Sequence, residues 1–459
     1  MQVPPTVFRE YDIRGLVGAE LTPEFAGALG SAFAAEVATR IGGGLAPTIA
    51  VGRDNRPSGA ALASAIRGGI VTAGGVALDV GELPTPALYY AEHHLKANAC
   101  LQVTGSHNPP EFNGFKMVIQ HEAVHGGQIS ALRDAMTSGS FPTLGEGVER
   151  PSPGVLDAYR RAIVDRHPLV RPVKVVVDCG NGVASLIAVS TLEAMGAEVV
   201  PLFCDSDGTF PNHHPDPTVP ENLKDLSQSV LDTGAEFGIA FDGDGDRIGA
   251  VDEYGRIIWG DQLLIVLGRD LTNRFGPGEP VIFDVKCSEL LPEALRAAGA
   301  VPVMWKTGHS LIKAKMKELN AKLAGEMSGH MFFGGDWFGF DDALFAAARL
   351  LQIVAAGPPG LARLLADLPE TYTTPELRVM CPEERKFAIV EEAVAYFGAR
   401  YRVNSIDGVR IAFPDGWGLL RASNTQPVLV LRFEATSDQA LTRYRKEVFD
   451  WLAARDIQV

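Results

Sequence analysis

No stretch of the 459 residues approaches the ~18 consecutive apolar positions of a membrane span. The opening Met1-Gln2-Val3-Pro4-Pro5 lacks the basic segment followed by an apolar one that marks a secretory signal. Cytoplasm is therefore the expected compartment, with no membrane partner. Cysteine is scarce: Cys100, Cys179, Cys204, Cys287 and Cys381 are odd in number, widely spaced and without a C-x-x-C pair. That pattern argues against a disulfide framework and a zinc site, and reads as five small core residues. Basic charge is also short, with 41 Lys and Arg against 56 Asp and Glu and a formal net charge of -15. A nucleic acid or an anionic membrane would need a basic face, so neither is expected; an anionic small substrate stays open if Arg and Lys gather in one cleft. The G-x-x-x-x-G-K-[ST] loop is missing, which speaks against a nucleotide-driven kinase.

Core-building material is plentiful. Hydrophobic residues make up 46% and charged residues 21%, over a length well past the ~250–300 at which one hydrophobic core stops growing. Several domains are expected. Residues 49–54, 173–178 and 281–286 are each a β-branched or aromatic run ending in a charged residue, and each leads through a loop into a helical pattern, at 59–72, 184–195 and 289–298. This is the grammar of mostly parallel sheets. Asp54, Asp178 and Asp284 recur at about the ~100–150 residue spacing of one domain, which predicts three similar α/β domains. The last part differs, with strand-like runs at 377–380, 408–413, 417–420 and 428–433 and helical ones at 383–396 and 437–455. It reads as a smaller α+β domain with an antiparallel sheet. The expected division is 1–152, 153–257, 258–369 and 370–459.

Four loops carry chemistry. In Thr104-Gly105-Ser106-His107-Asn108-Pro109, a buried strand at 99–103 ends in turn residues that present the Ser106 hydroxyl as a nucleophile would be presented, with His107 and Asn108 beside it. In isolation the surface-loop reading is the stronger one, and it is the company of the later loops that favours the nucleophile. Asp242-Gly243-Asp244-Gly245-Asp246-Arg247 places carboxylates at i, i+2 and i+4, which converge on one side while the glycines relieve crowding. Three hard oxygen ligands describe a magnesium site. An EF-hand fails on two counts: Arg247 stands where glycine is needed, and both flanks look like strands. Gly325-Glu326-Met327-Ser328-Gly329-His330 could grasp sugar hydroxyls, and Arg421-Ala422-Ser423-Asn424-Thr425-Gln426-Pro427 could cradle a phosphate; each alone is also an ordinary turn. Lys306-Thr307-Gly308-His309-Ser310 reads either as a phosphate contact or as a helix start.

Taken in order with Tyr11-Asp12-Ile13-Arg14-Gly15, Gly52-Arg53-Asp54 and Asn113-Gly114-Phe115-Lys116, these stretches resemble the α-D-phosphohexomutase family, and within it the bacterial phosphomannomutase/phosphoglucomutase branch. The resemblance implies three mixed α/β domains plus a C-terminal α+β domain, heart-shaped around a central cleft. It implies that Ser106 is the phosphorylated nucleophile, that Asp242, Asp244 and Asp246 with the serine phosphate hold Mg2+, and that the Glu326 loop selects the sugar while the Arg421 loop, with Ser423, Asn424 and Thr425, binds its phosphate. Two departures are visible. Gly105 stands where many members carry alanine, and Met327 stands where the phosphoglucosamine mutase branch usually has glutamine. The second favours mannose and glucose phosphates over the amino sugar.

The implied reaction interconverts mannose 6-phosphate with mannose 1-phosphate, and glucose 1-phosphate with glucose 6-phosphate. Phospho-Ser106 gives its phosphoryl group to a hexose monophosphate, and the 1,6-bisphosphate turns around and returns the other; glucose 1,6-bisphosphate replenishes the phosphoserine. Arg247 and Lys116 are expected as fixed cations, with His107 or Lys116 moving the proton. Tyr11, Arg14, Lys286, His309, Glu326, Ser328 and His330 complete the expected substrate contacts. The chain is expected to be a monomer or weak homo-oligomer whose fourth domain closes on the substrate. Two alternatives stay open: phosphoglucosamine mutase, and a catalytically silent sugar-phosphate binding protein, which would have no need of Ser106 or the aspartate trio.

Overall fold

Strands buried on both faces read as nearly continuous apolar runs, and such strands build the middle of three successive sheets. The computed structural model describes residues 3–42, 44–139, 145–424 and 426–458. In the first sheet Thr48–Arg53 lies between the parallel strands Val76–Glu82 and Ala99–Val103; Ala99–Val103 then pairs antiparallel with Phe112–Ile119, and that strand with Ile13–Leu16. In the second, Lys174–Asp178 lies between Glu198–Leu202 and Phe237–Phe241, and Phe237–Phe241 pairs antiparallel with Ile248–Asp252. In the third, Pro280–Asp284 lies between Val301–Trp305 and Leu323–Gly325, and Leu323–Gly325 pairs antiparallel with Met331–Phe333. The plan is the same three times. In every case the last parallel strand reverses into an antiparallel neighbour, and the reversal carries a loop singled out above: Ser106, then the aspartates, then Glu326. Ligands of open α/β sheets bind beyond the carboxyl ends of the strands, where these reversals stand.

The two-residue periodicity of a strand explains how the three sheets hold together. Ala50, Val175, Val177, Val281 and Phe283 all belong to one apolar core shared by the three units. Their neighbours turn the other way, into cores private to each unit: Ile49 and Val51, Val176, and Ile282. Helix Ala343–Ala355 runs through the shared core and is apolar almost all round, as a helix enclosed on every side must be. Its Asp342 cap accepts from Phe345 N, from the Tyr159 hydroxyl at 2.7 Å and from the Trp337 indole at 2.9 Å.

Residues 372–453 form the expected antiparallel α+β unit, Val428–Ala435 pairing with Tyr372–Thr373, Leu377–Met380 and Gly416–Ala422. It has a core of its own. Its bond to the third unit is largely polar: the Arg410 guanidinium lies 3.6 Å from the Trp417 ring centroid and donates to Val285 O and Cys287 O, while Arg432 donates to Lys286 O.

Most expected elements stand where the pattern placed them. The helix expected over 184–195 is split, a 3-10 turn at Val183–Leu186 preceding Ala188–Met195, because residues 179–183 are held against the aspartate loop, as described below. Edge strand Ile257–Ile258 runs across the boundary expected at 257, so the second unit reaches one residue further. Among the described residues no helix is long and apolar enough to cross a membrane.

His167 gives the fold a measurable acid response. It is fully enclosed, its Nδ1 2.8 Å from Ile163 O and its ring edge-on to Phe345 at 4.6 Å. Burial, with the Arg349 charge adding to it, lowers its pKa to about 4. The unfolded chain takes up this proton below ~6.5 and the folded chain does not, so this contribution is complete above ~6.5 and is lost as pH falls towards 4, for roughly 3 kcal/mol. Denaturant titrations at the two pH values should show that loss in the wild type and a smaller one in His167→Gln; equal losses would assign the acid response to other groups.

Candidate active site

Ser106 is not free at a sheet edge, as the turn residues suggested, but enclosed, with 1% of its surface exposed. Its backbone lies in the left-handed region at a φ of 50°, a conformation that non-glycine residues hold only where their surroundings impose it. The surroundings here are an arginine and an aspartate. Arg56 donates to the carbonyls of Ser106, Asn108, Pro109 and Phe112, and its Nε to Asp54. Asp54 in turn accepts from Thr104 Oγ1 at 2.8 Å and Gly105 N at 3.2 Å. A side chain on Gly105 would begin 2.5 Å from the Arg56 guanidinium carbon, which accounts for glycine at that position in this chain.

Behind the serine stands the aspartate loop. A Cβ on Gly243 would fall 2.3 Å from Ser106 O, so the two loops touch backbone to backbone. Ser106 Oγ donates to Asp242 Oδ2 at 2.9 Å and lies 3.2 Å from His107 Nδ1. Asp242 Oδ1 accepts from the amides of Asp246 and Arg247, and thereby shapes the turn. Lys116, from the antiparallel strand of the first sheet, reaches Asp244 Oδ2 at 2.7 Å and Asp246 Oδ2 at 2.5 Å. Thr85 Oγ1 donates to Asp244 Oδ2 as well. Burial opposes the Lys116 charge, but the two carboxylates outweigh it and raise its pKa. Burial, then the Arg247 and Arg14 charges, lowers that of His107 well below the usual range and keeps its ring neutral.

The third loop meets the second through Arg247, whose Nε lies 3.2 Å from His330 Nε2. Glu326 accepts from Gly308 N at 2.7 Å, and its other oxygen lies 2.9 Å from His330 Nδ1; Ser328 Oγ is 3.1 Å from the same nitrogen. Burial works against a charge on His330, yet the Asp246 carboxylate raises its pKa to about 9 against the opposing Arg247, with hydrogen bonds to Asp246 and Glu326 adding to the rise. From the fourth unit, Asn424 Nδ2 donates at 2.7 Å to the Tyr11 hydroxyl, which itself donates to Thr307 O at 3.0 Å. Burial pushes the Tyr11 phenol up to about 12. All four units thus meet at one place.

The chain matches the models of phosphoglucomutase/phosphomannomutase alpha/beta/alpha domains I, II and III over residues 5–141, 157–255 and 259–372, and of the C-terminal domain over 376–450. It is 47% identical over 456 residues to a phosphomannomutase/phosphoglucomutase of Pseudomonas aeruginosa, covering 99% of this chain and 97% of that one. It is 44% identical to a phosphoglucomutase of Neisseria gonorrhoeae, covering 95% and 94%. A crystal structure of a phosphoglucomutase/phosphomannomutase family protein from Burkholderia thailandensis superposes with a TM-score of 0.91 at 43% identity, covering 99% and 98%. The chain belongs to the phosphoglucomutase/phosphomannomutase family. It is an isomerase of the bacterial branch of the α-D-phosphohexomutases.

Several groups of this mutase stand where the sequence could not put them. Arg14 is held by Asp12 at 2.6 Å and reaches towards Asn108 Oδ1 at 3.4 Å. Lys286 pairs with Glu376 of the fourth unit at 3.2 Å, and its charge takes the Glu376 carboxyl down to about 2. His309 lies between Tyr11 and His330, its Nδ1 buried without a hydrogen-bond partner. Arg421 is bound by Asp407 at 3.0 Å, and the same carboxylate takes Thr307 N at 3.0 Å. Ser423 Oγ accepts from Gln426 N, which makes it the brace of its own loop. Thr425 lies outside the described residues. Sequence reasoning missed Arg56, Thr85 and Asp407; of these only Arg56 carried a signal, as a basic residue two positions beyond the quoted Gly52-Arg53-Asp54.

The aspartates fit a cation. Each of the three offers an oxygen within 4.8 Å of the others. Asp244 Oδ1 is buried with no hydrogen-bond partner and Asp246 Oδ1 has only the distant His330 Nε2, at 3.4 Å, although Lys116 satisfies the opposite oxygen of each. Buried acceptors left in that state cost about 1–3 kcal/mol each, and hard carboxylate oxygens are the donors that magnesium takes. Calorimetric titration with Mg2+ should find one site per chain in the wild type and an affinity lower by at least tenfold in Asp244→Asn; an unchanged affinity would move the cation elsewhere.

Proposed function

We propose that this mutase transfers a phosphoryl group between the 1- and 6-positions of mannose and glucose phosphates, through phospho-Ser106 and a hexose 1,6-bisphosphate. The observation that carries the proposal is Ser106 Oγ at 2.9 Å from Asp242, inside an enclosure that also holds Lys116. A silent binding protein would have no use for that arrangement. Nor would an enzyme that kept its nucleophile in solvent.

Ser106 carries the phosphoryl group at rest. A hexose monophosphate enters with its own phosphate towards the fourth unit, where Arg421, Ser423 and Asn424 hold it; Thr425 belongs to the same proposal. Lys116 and Arg247 stand as fixed positive charges over the phosphoryl oxygens, and stabilise the charge that develops as the group leaves Ser106 for the sugar hydroxyl. Magnesium held by Asp242, Asp244, Asp246 and the serine phosphate would add the charge neutralisation of a divalent cation. His107 stands beside Oγ, 3.2 Å away, where a proton must move, although burial and the Arg247 and Arg14 charges oppose its holding one. Lys116, held between two carboxylates, serves better as a charge than as a base. The bisphosphate then turns around and returns its other phosphate to Ser106. Glucose 1,6-bisphosphate reloads the serine when the intermediate is lost.

Turning in place requires contacts that nearly exchange between the two orientations. Glu326 and Ser328, reading O3 and O4, would meet this requirement and leave the C2 configuration unread, so both epimers react; Tyr11, Arg14, Lys286, His309 and His330 line the remainder. Closure of the fourth unit shuts out water during transfer. Its separate core and the Tyr11–Asn424 hydrogen bond across the cleft support that movement. We place the unit boundaries after residues 152, 258 and 369, between the sheets.

Incubating purified protein with glucose 1,6-bisphosphate and Mg2+ and weighing it intact should show one phosphate on the wild type and none on Ser106→Ala; no phosphate on either would end the phosphoserine mechanism. Glu326→Gln removes a charge-assisted contact of about 1.5–3 kcal/mol and should lower kcat/KM for mannose 1-phosphate and glucose 1-phosphate together, by roughly tenfold or more. Loss of one epimer alone would contradict the assignment to O3 and O4.

A further inference from the structure

Two of the five cysteines, far apart in sequence, are neighbours in the fold. Cys179 follows strand Lys174–Asp178 and Cys204 follows the adjacent strand Glu198–Leu202, and their sulfurs lie 3.4 Å apart. Cys179 is wholly enclosed, while Cys204 is partly exposed, so the pair has a protected member and an accessible one. The contact between them splits their acidities. It lowers the pKa of Cys204, and with burial it raises that of Cys179. A disulfide needs a sulfur separation of ~2.05 Å, a closing of about 1.4 Å.

The bond would form against the back of the active site. Cys179 O accepts from Gly182 N at 2.7 Å, and the next amide, Val183 N, donates to Gly243 O between Asp242 and Asp244. Gly182 and Gly243 are so close that a Cβ on Gly182 would lie 3.0 Å from Gly243 O. On the other side, Asn55 Nδ2 donates to Asn181 O and Ser206 Oγ, which ties the same turn to the segment that carries Asp54 and Arg56. Cys179 itself sits in the close-packed shared core, which cannot give way freely. The part of the closing that Cys204 does not make falls on Cys179, whose sulfur has no free space to shift alone, and so moves the 179–183 turn; that turn abuts the loop that places Asp242 2.9 Å from Ser106.

We infer that Cys179 and Cys204 form a site of reversible oxidation, closed by a peroxide and opened by a dithiol, which slows the mutase by displacing the aspartate loop. Cys204 thiolate attacks one peroxide oxygen, breaks the O–O bond and becomes a sulfenic acid, and the departing hydroxide leaves as water with the Cys204 proton. Cys179 sulfur then attacks the sulfenic sulfur; the hydroxide expelled takes the Cys179 proton and leaves as a second water. Two thiols are oxidised and one peroxide is reduced to two waters. Transient, sensing disulfides are the kind that a reducing cytosol tolerates.

The test is to treat the full-length, Mg2+-loaded wild type with hydrogen peroxide and weigh it, map its peptides, and measure mutase rate and Mg2+ affinity before treatment, after it, and after dithiothreitol. The expected result is a mass lower by two hydrogens, located to the peptides of Cys179 and Cys204, with rate and cation affinity each reduced at least tenfold and both restored by dithiothreitol. Cys204→Ser and Cys179→Ala should each keep their untreated rate and affinity under peroxide. Oxygen addition without a cross-link, or a cross-link that changes neither rate nor affinity, would overturn the inference. The rate readout rests on the mutase reading and the affinity and mapping readouts do not; a reduced enzyme without mutase activity would count against that reading alone.

Discussion

Three carboxylates with oxygens inside 4.8 Å of one another, all enclosed, repel each other, and much of the site can be read as the answer to that repulsion. Lys116 crosses from the first unit to sit between two of them, His330 approaches from the third, and Arg247 closes the loop from its own end. Each cation is brought by a different sheet. The electrostatic problem of one loop is thereby solved by three units, which ties the assembly of the fold to the assembly of the site. Removing any one cation leaves buried negative charge uncompensated, a more costly state than never having buried the pair.

The three α/β units place their functional loops at the same topological position, the reversal from the last parallel strand into its antiparallel partner. The loops proposed to hold the nucleophile, the metal and the sugar are three uses of one structural slot. The fourth unit contributes Arg421 and Asn424, at the end of strand Gly416–Ala422 and just beyond it, and is joined to the rest mainly by buried arginines donating to carbonyls. Such contacts are directional, and so hold an orientation rather than merely an attraction.

Much of this was legible in the chain. The strands before each loop are apolar and β-branched, so pattern sufficed for the fold class, and the loops carry their chemistry within six or seven consecutive residues, so their ordered set sufficed for the family resemblance. What escaped were the supports. Asp407 stands in Ser405-Ile406-Asp407-Gly408, an unremarkable turn until the fold brings it against Arg421 and Thr307. Arg56 follows a recognisable segment, but its role comes from carbonyls 50 and 52 residues away. Cys179 and Cys204 looked like two unrelated core residues because parallel strands joined by a helix set side by side residues that the sequence keeps apart.

The contact between Gly243 and the Ser106 carbonyl reaches beyond the two residues. Because the two loops touch through backbone, the contact asks nothing of the side chain at 106 and forbids any at 243, where a Cβ would push the loops apart. The Ser106 loop and the aspartate loop therefore move as one piece, although more than a hundred residues and a unit boundary separate them. The Glu326 loop is tied to the same piece through backbone, Ile248 N donating to Gly329 O at 3.0 Å, whereas the Arg421 loop reaches the first unit through a side chain, Asn424 to Tyr11, and is the one of the four that can shift without carrying the others.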